Sequence, residues 1–282
     1  MNILSRICKK FAYTELTPLY YTEVLKNSYC STSVTGSQLQ NKLAVVTGAY
    51  GGIGQAIVRR LIDEGCKVVL LGRNEGKLRE CVSMFGTGKV DYMVIDLTSC
   101  QSVSQVAKSL IRNYSIDILV NCAGVFTDVD KKRYFRCVTK AQYLGVLNVN
   151  LKSTMLLSML IAKHMFERAI DSGIINIASI CGLSDAFKYT PYGISKSGLM
   201  EFTNLLQKQY ENSNIFVTGI APGSVATMMG NKQTGSDIAI NTNIVKRVAL
   251  TEEIASLVAF LCCESGRSFG GRTIIASGRE KF

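Results

Sequence analysis

The sequence predicts an α/β fold: a single doubly wound Rossmann-type domain, in which a seven-stranded parallel sheet is flanked by helices. Three observations predict it. From Lys42 onward, short runs that are apolar throughout alternate with longer amphipathic stretches. The first run opens straight into a glycine-rich turn followed by a helical pattern. No linker, low-complexity tract or internal repeat divides residues 39–282. Strands apolar on both faces and separated by helices need a parallel sheet covered on both sides, and right-handed crossovers then wind the chain around it.

The strand-length runs are Leu43–Val46, Val68–Leu71, Val90–Ile95, Ile116–Val120, Ile174–Ala178, Ile215–Ile220 and Thr273–Ala276. Between them, Gly52–Glu64 carries Ile53, Ile57 and Leu61 on one helical face, and further helices fall near Ser102–Asn113, Gln142–Arg168, Tyr192–Tyr210 and Glu252–Cys263. Residues 223–246 break the alternation, are polar, and read as a mobile loop beyond the sixth strand.

Composition narrows the class. Hydrophobic residues make up 47% of the 282, enough for a sizeable core. No uninterrupted apolar run reaches the roughly 18–20 residues of a membrane-spanning helix, so a soluble chain without a transmembrane segment is expected. The net charge of +11 suits phosphates, an acidic carrier protein, an anionic surface or nucleic acid, or simply a basic solvated surface. Ten cysteines without a Cys-x-x-Cys pair, and a single histidine (His164), argue against a zinc site and against any metal centre. Cys66, Cys122, Cys262 and Cys263 sit in apolar runs and point to a reducing compartment.

Residues 1–38 differ from the rest. Ile3, Leu4, Ile7, Cys8 and Phe11 face one side of a helix and Asn2, Arg6, Lys9 and Lys10 the other, before a Ser/Thr-rich stretch from Ser28 to Ser37. This is the composition of a mitochondrial transit peptide, which places the mature domain in the mitochondrial matrix; Glu15 and Glu23 run against it, and the alternative is an unaddressed tail on a cytoplasmic protein.

The chemistry begins at Thr47-Gly48-Ala49-Tyr50-Gly51-Gly52-Ile53-Gly54. Glycines there let the backbone close on a pyrophosphate at a helix N-terminus. At the end of the second strand, Gly72 supplies no carboxylate for a ribose 2′-hydroxyl and Arg73 offers a guanidinium to a 2′-phosphate, which favours NADPH over NADH. Ser179 ends the fifth strand; Tyr192 follows, and Lys196 lies one helical turn beyond it on the same face. In this reading the Lys196 ammonium lowers the Tyr192 pKa, Ser179 hydrogen-bonds the substrate oxygen and Tyr192 protonates it as hydride arrives.

Together, Thr47–Gly54, Asp96-Leu97, Asn121-Cys122-Ala123-Gly124, Asn150, Ser179, Tyr192, Lys196 and Pro222-Gly223 resemble the short-chain dehydrogenase/reductase family over about Lys42–Gly278, and within it the 3-oxoacyl-[acyl-carrier-protein] reductases most. The resemblance implies that Asp96 and Leu97 contact the adenine end and that Asn121, Ala123 and Gly124 line the cofactor. It implies that Asn150 holds a water of a proton relay to Lys196, and that Pro222-Gly223, Val225 and Thr227 hold the nicotinamide amide. It implies a homotetramer packed through Gln142–Arg168 and Tyr192–Tyr210, or pairing with a related subunit. Three departures stand out: Tyr50-Gly51 where many NADPH members carry a basic residue, Asn121-Cys122 for Asn-Asn, and Ser277-Gly278-Arg279 for Asp-Gly-Gly or Asn-Gly-Gly.

The expected reaction is reduction of a 3-oxoacyl thioester, on an acyl carrier protein or coenzyme A, to the 3-hydroxy product. The basic run Lys131–Arg136, with Lys163 and Arg168, is placed to steer an acidic carrier or a coenzyme A phosphate, the alternative being a solvated loop, and Met228 and Met229 are placed to adapt to an acyl chain or simply to pack. The alternatives are a broad carbonyl or steroid reductase and a non-catalytic scaffold or RNA-binding subunit. The proton-relay residues oppose the scaffold reading. Nucleic acid is disfavoured because the basic run interleaves no aromatics beyond Tyr134 and Phe135.

Overall fold

In the computed structural model, the sheet runs β3-β2-β1-β4-β5-β6-β7, all parallel: β1 Leu43–Thr47, β2 Lys67–Gly72, β3 Val90–Val94, β4 Ile118–Asn121, β5 Ser172–Ile177, β6 Ile215–Pro222 and β7 Thr273–Ala276. The structure describes residues 39–86, 88–126, 138–183, 191–227, 245 and 247–278. Residues 1–38, Lys131–Arg136, Met228, Met229, Arg279 and nearly all of the expected loop at 223–246 beyond Thr227 lie outside the described residues.

The central strands form because they are apolar on both faces. β4, β5 and β6 are buried along their whole length, and β1 and β2 from their second residue. One face of the sheet meets α1 (Gly52–Asp63), α2 (Glu75–Phe85) and α7 (Thr251–Cys262) through Ile57, Leu61, Leu78, Val258 and Leu261. The other meets α3 (Cys100–Asn113), α5 (Ser153–Arg168) and α6 (Tyr192–Gln209) through Leu110, Leu157, Ile161, Leu199 and Leu206. Each such leucine or isoleucine stabilises the sandwich by about 1.5–3 kcal/mol.

Three features depart from the sequence reading. The helix α2 was not foreseen: Gly76 sits in its first turn and only Leu78 and Cys81 are buried, so its apolar stripe is thin. Asn74 starts it by accepting from Lys77 N at 3.0 Å, and Gly86, at φ 95°, stops it. The expected helix Gln142–Arg168 starts earlier and is interrupted. Thr139 and Gln142 form a capping box, α4 (Lys140–Leu147) follows, and a π turn at Asn148–Lys152 joins it to α5. Lys140–Arg168 also holds an 18-residue window of mean hydropathy 1.4, long and apolar enough to cross a membrane by length and composition alone, although no uninterrupted apolar run is. Leu157, Ile161 and Met165 of that helix are fully buried against the sheet, which accounts for the apolar face without a bilayer.

Candidate active site

The strand order reverses direction between β1 and β4, so a crevice opens at their carboxyl ends, where sheets of this kind bind ligands. β1 delivers Thr47 there, and the turn that follows is possible only with glycine. Gly48 has φ 66°, and a Cβ on it would lie 2.8 Å from Ala123 Cα. A Cβ on Gly54 would lie 2.2 Å from Gly48 O. The turn is therefore pressed against its own helix on one side and the end of β4 on the other. Thr47 ties these together: its Oγ1 accepts from Cys122 N and Ala123 N, each at 3.1 Å. The strap after β6 closes the third side. A Cβ on Gly52 would meet Thr227 Cγ2 at 3.0 Å, while Val225 is buried in a bridge to Ala249 and Gly223 N donates to Ala276 O.

α2 and α3 are capped by the side chains of Asn74 and Ser99, but α1 begins at Gly51 with no side-chain cap. Helix-start amides without a cap, in a turn bare of Cβ atoms, form a cradle that fits a dinucleotide pyrophosphate. At the end of β2, the ring of Tyr50 lies over Gly72, and Arg73 is close enough to Asp96 to act on its charge. The Asp96 carboxylate is held below its ordinary pKa, first by Thr98 N and then by the Thr98 hydroxyl, 2.9 and 2.8 Å away. Leu97 O accepts from Ser153, which pins this loop to α5.

The second half of the site stands at the end of β5. Ser179 starts a short 3₁₀ turn, Ile180–Gly182, and hydrogen-bonds the Tyr192 phenol. A Cβ on Gly182 would lie 2.6 Å from Ser197 N, so that turn presses on the first turns of α6 and brings Ser179 to Tyr192. Tyr192 and Lys196 share one face of α6, with Lys196 Nζ 5.7 Å from the Tyr192 ring centroid. Lys196 is buried and donates to Ile177 O at 2.7 Å. Phe126 packs edge-on to Tyr192, 5.4 Å between centroids. The two halves meet at Gly124, where a Cβ would be 3.6 Å from Lys196 Nζ and 3.7 Å from Asn150 Oδ1.

Burial dominates the electrostatics. It holds the Tyr192 phenol well above its ordinary 10.0, with a smaller push from Cys181 and an opposing pull from the Ser179 hydrogen bond. It lowers Lys196 from 10.5 to about 8. The direction is opposite to the one expected: burial raises the Tyr192 phenol, where the sequence reading had the Lys196 ammonium lowering it, and Tyr192 stands as a proton donor.

Two expected roles take a different form. Asn121 was expected to line the cofactor, but its amide turns into the core. Nδ2 donates to Ser158 Oγ and Asn176 Oδ1, both at 2.8 Å. Asn150 was expected to hold a water. Its Oδ1 accepts from Val125 N at 2.8 Å, and Nδ2 donates to Val125 O at 2.9 Å and Ser195 Oγ at 3.1 Å. Both amide hydrogens are thus committed, and a relay water is left the second lone pair of Oδ1 or the backbone of the π turn in which Asn150 sits. The sequence reading missed Ser195, which is fully buried and donates to Tyr192 O at 2.6 Å. A small hydroxyl residue beside Lys196, on the inner face of the helix, was the available signal. It also missed Phe126, for which the sequence carries no signal.

A glycine cradle and a buried acid–base group opening on one crevice can move a hydride and a proton in the same site, and the chain is an NAD(P)-dependent oxidoreductase. Comparison with known proteins names the family. The profile of the short chain dehydrogenases matches residues 42–237, and the chain belongs to the short-chain dehydrogenase/reductase family. It is 30% identical to the acetoacetyl-CoA reductase of Acinetobacter sp. over 85% of this chain and 97% of that one. It is 28% identical to the 3-oxoacyl-[acyl-carrier-protein] reductase FabG of Thermotoga maritima, over 86% and 98%. Among solved structures, an actinorhodin polyketide ketoreductase with NADPH superposes with a TM-score of 0.78 at 25% identity, covering 88% of this chain and all of that one.

Proposed function

We propose that the chain uses NADPH to reduce the ketone of a 3-oxoacyl thioester to the secondary alcohol. The observation that carries ketone reduction is the buried Tyr192, hydrogen-bonded to Ser179 and kept protonated by desolvation. When bound, the cofactor supplies hydride from its nicotinamide. The rest falls to the chain. Tyr192 donates its proton to the carbonyl oxygen, the Ser179 hydroxyl holds that oxygen while charge grows on it, and Lys196 keeps a positive charge beside the phenol. The turn Thr47–Gly54 and the uncapped start of α1 would hold the pyrophosphate, Arg73 the 2′-phosphate, and the strap from Pro222 to Thr227 the nicotinamide end. The thioester is supported by the acetoacetyl-CoA and 3-oxoacyl-carrier reductases, which align over nearly their whole lengths.

The test is a steady-state panel of acetoacetyl thioesters, quinones and ketosteroids with NADPH and NADH, run beside Tyr192→Phe. Thioester turnover that Tyr192→Phe abolishes is expected. Turnover of quinones or steroids alone would sink the thioester, and no turnover of any ketone would sink the reductase. The reading extends to a matrix enzyme released from its first 38 residues, supported by their amphipathic composition and checked by import into isolated mitochondria. It extends also to a homotetramer, supported by the family resemblance and by Met159 and Leu205 exposed on α5 and α6, and checked by light scattering.

A further inference from the structure

We propose that Lys77, carried over the ring of Tyr50, acts with Arg73 as the cation pair that selects the 2′-phosphate of NADPH. This rests on the NADPH reading above and supplies the contact that the glycine turn lacks. The turn places Tyr50-Gly51 where a basic side chain would otherwise point at the phosphate, and neither residue can hold an anion by charge.

Tyr50 acts in two ways. Its ring covers Gly72 so closely that a Cβ there would lie 2.4 Å from Tyr50 Cε1 and 2.9 Å from Cδ1. An aspartate at the end of β2, the group that would hold the free ribose hydroxyls of NADH, has no room while the ring is in place. The same ring carries Lys77, whose Nζ lies 5.7 Å from the centroid. A cation over an aromatic face is attracted by the ring quadrupole, so the ammonium is localised rather than left to sweep through solvent. Asn74 adds order from below: its Oδ1 accepts from Lys77 N at 3.0 Å and fixes the first turn of α2 immediately after Arg73.

The acids nearby already accept hydrogen bonds, each on one oxygen. The Glu75 carboxylate is taken by Arg79 at 2.8 Å and by the Tyr92 hydroxyl at 3.1 Å. Asp96 is taken by the backbone and hydroxyl of Thr98. Among the described residues neither Arg73 nor Lys77 is in an ion pair, and Asp96 acts on Arg73 only at a distance, so both can turn to an incoming dianion.

The test is binding, independent of turnover. The purified full-length protein is titrated with NADPH, NADH and 2′,5′-ADP by calorimetry, alongside Lys77→Met, Lys77→Gln, Tyr50→Leu and Arg73→Leu, with melting curves to confirm folding. Loss of one charge-assisted contact weakens NADPH and 2′,5′-ADP by about tenfold in each Lys77 variant while NADH changes less than about twofold. Tyr50→Leu, which leaves Lys77 in place but unheld, gives part of that loss. A Lys77 variant that binds NADPH as tightly as the parent, or that loses NADPH and NADH equally, overturns the inference. A parent protein that binds NADH as tightly as NADPH overturns instead the cofactor reading beneath it.

Discussion

Replacing Lys196 by methionine should abolish reduction and at the same time stabilise the protein at neutral pH. The ammonium is buried, and burial lowers its pKa from 10.5 to about 8. Below pH 8 the lysine is charged in both folded and unfolded chains, and the folded state carries a penalty of about 3 kcal/mol for that charge. Methionine removes the penalty, but it strands Ile177 O, which now accepts from Nζ at 2.7 Å, at a cost of about 1–2 kcal/mol. The net gain at pH 7 is about 1–2 kcal/mol, or a rise in Tm of about 2–8 °C for a domain of this size. The sign follows from the folded-state pKa being depressed: the penalty is complete below about pH 8, shrinks as pH rises, and is gone above 10.5, where both states are neutral. Urea unfolding of parent and Lys196→Met at pH 7 and pH 10, in reducing buffer, gives the difference directly, and the other titrating groups cancel between the two proteins. The advantage of the variant should vanish by pH 10 and reverse to a deficit of up to about 1 kcal/mol, as the stranded Ile177 O is no longer offset. A variant less stable than the parent at pH 7, or a difference unchanged between the two pH values, would refute the account of Lys196 as a charge held against its solvation.

For activity, kcat/KM for NADPH in ketone reduction should be level up to about pH 8 and fall above it as free-enzyme Lys196 loses its proton; Lys196→Arg should remove that limb, and a limb that stays would assign it to another group. Gly54→Ala should destroy cofactor affinity and cost about 1–3 kcal/mol of stability, because its Cβ would sit 2.2 Å from Gly48 O; calorimetric titration and melting check both. Asn150→Ala should cost about 1–3 kcal/mol, since it unpairs the buried Ser195 hydroxyl and frees the N–H and C=O of the exposed Val125 to water, and denaturant unfolding measures it. Gly182→Ala should lower kcat more than it raises the KM for NADPH, because a Cβ 2.6 Å from Ser197 N moves Ser179 relative to Tyr192 rather than disturbing the glycine turn; steady-state kinetics separates the two parameters.

The sequence by itself determined the doubly wound sheet, because strands buried on both faces must be apolar throughout and helices between them must carry an apolar stripe. All seven strands, β1 to β7, overlap a strand-length run read from the chain. It also determined the chemistry-bearing residues that are local: a glycine turn between strand and helix, and Tyr192 and Lys196 one turn apart on the same helix. α2 escaped because two buried side chains make too thin a stripe, and the π turn at Asn148–Lys152 escaped because the hydrophobic pattern runs through it unbroken. Tertiary structure alone decided what depends on distant partners. The Asn121 Nδ2 is spent on Ser158 and Asn176, and the Asn150 Nδ2 on Val125 and Ser195, partners that no local pattern in the chain announces. Whether Tyr192 is an acid or a phenolate depends on how much water the packed site excludes, a property of the packed crevice and of no residue in it. The glycine at 72 is the clearest case: in the sequence it is only a missing carboxylate, and in the fold it is the space that the Tyr50 ring occupies.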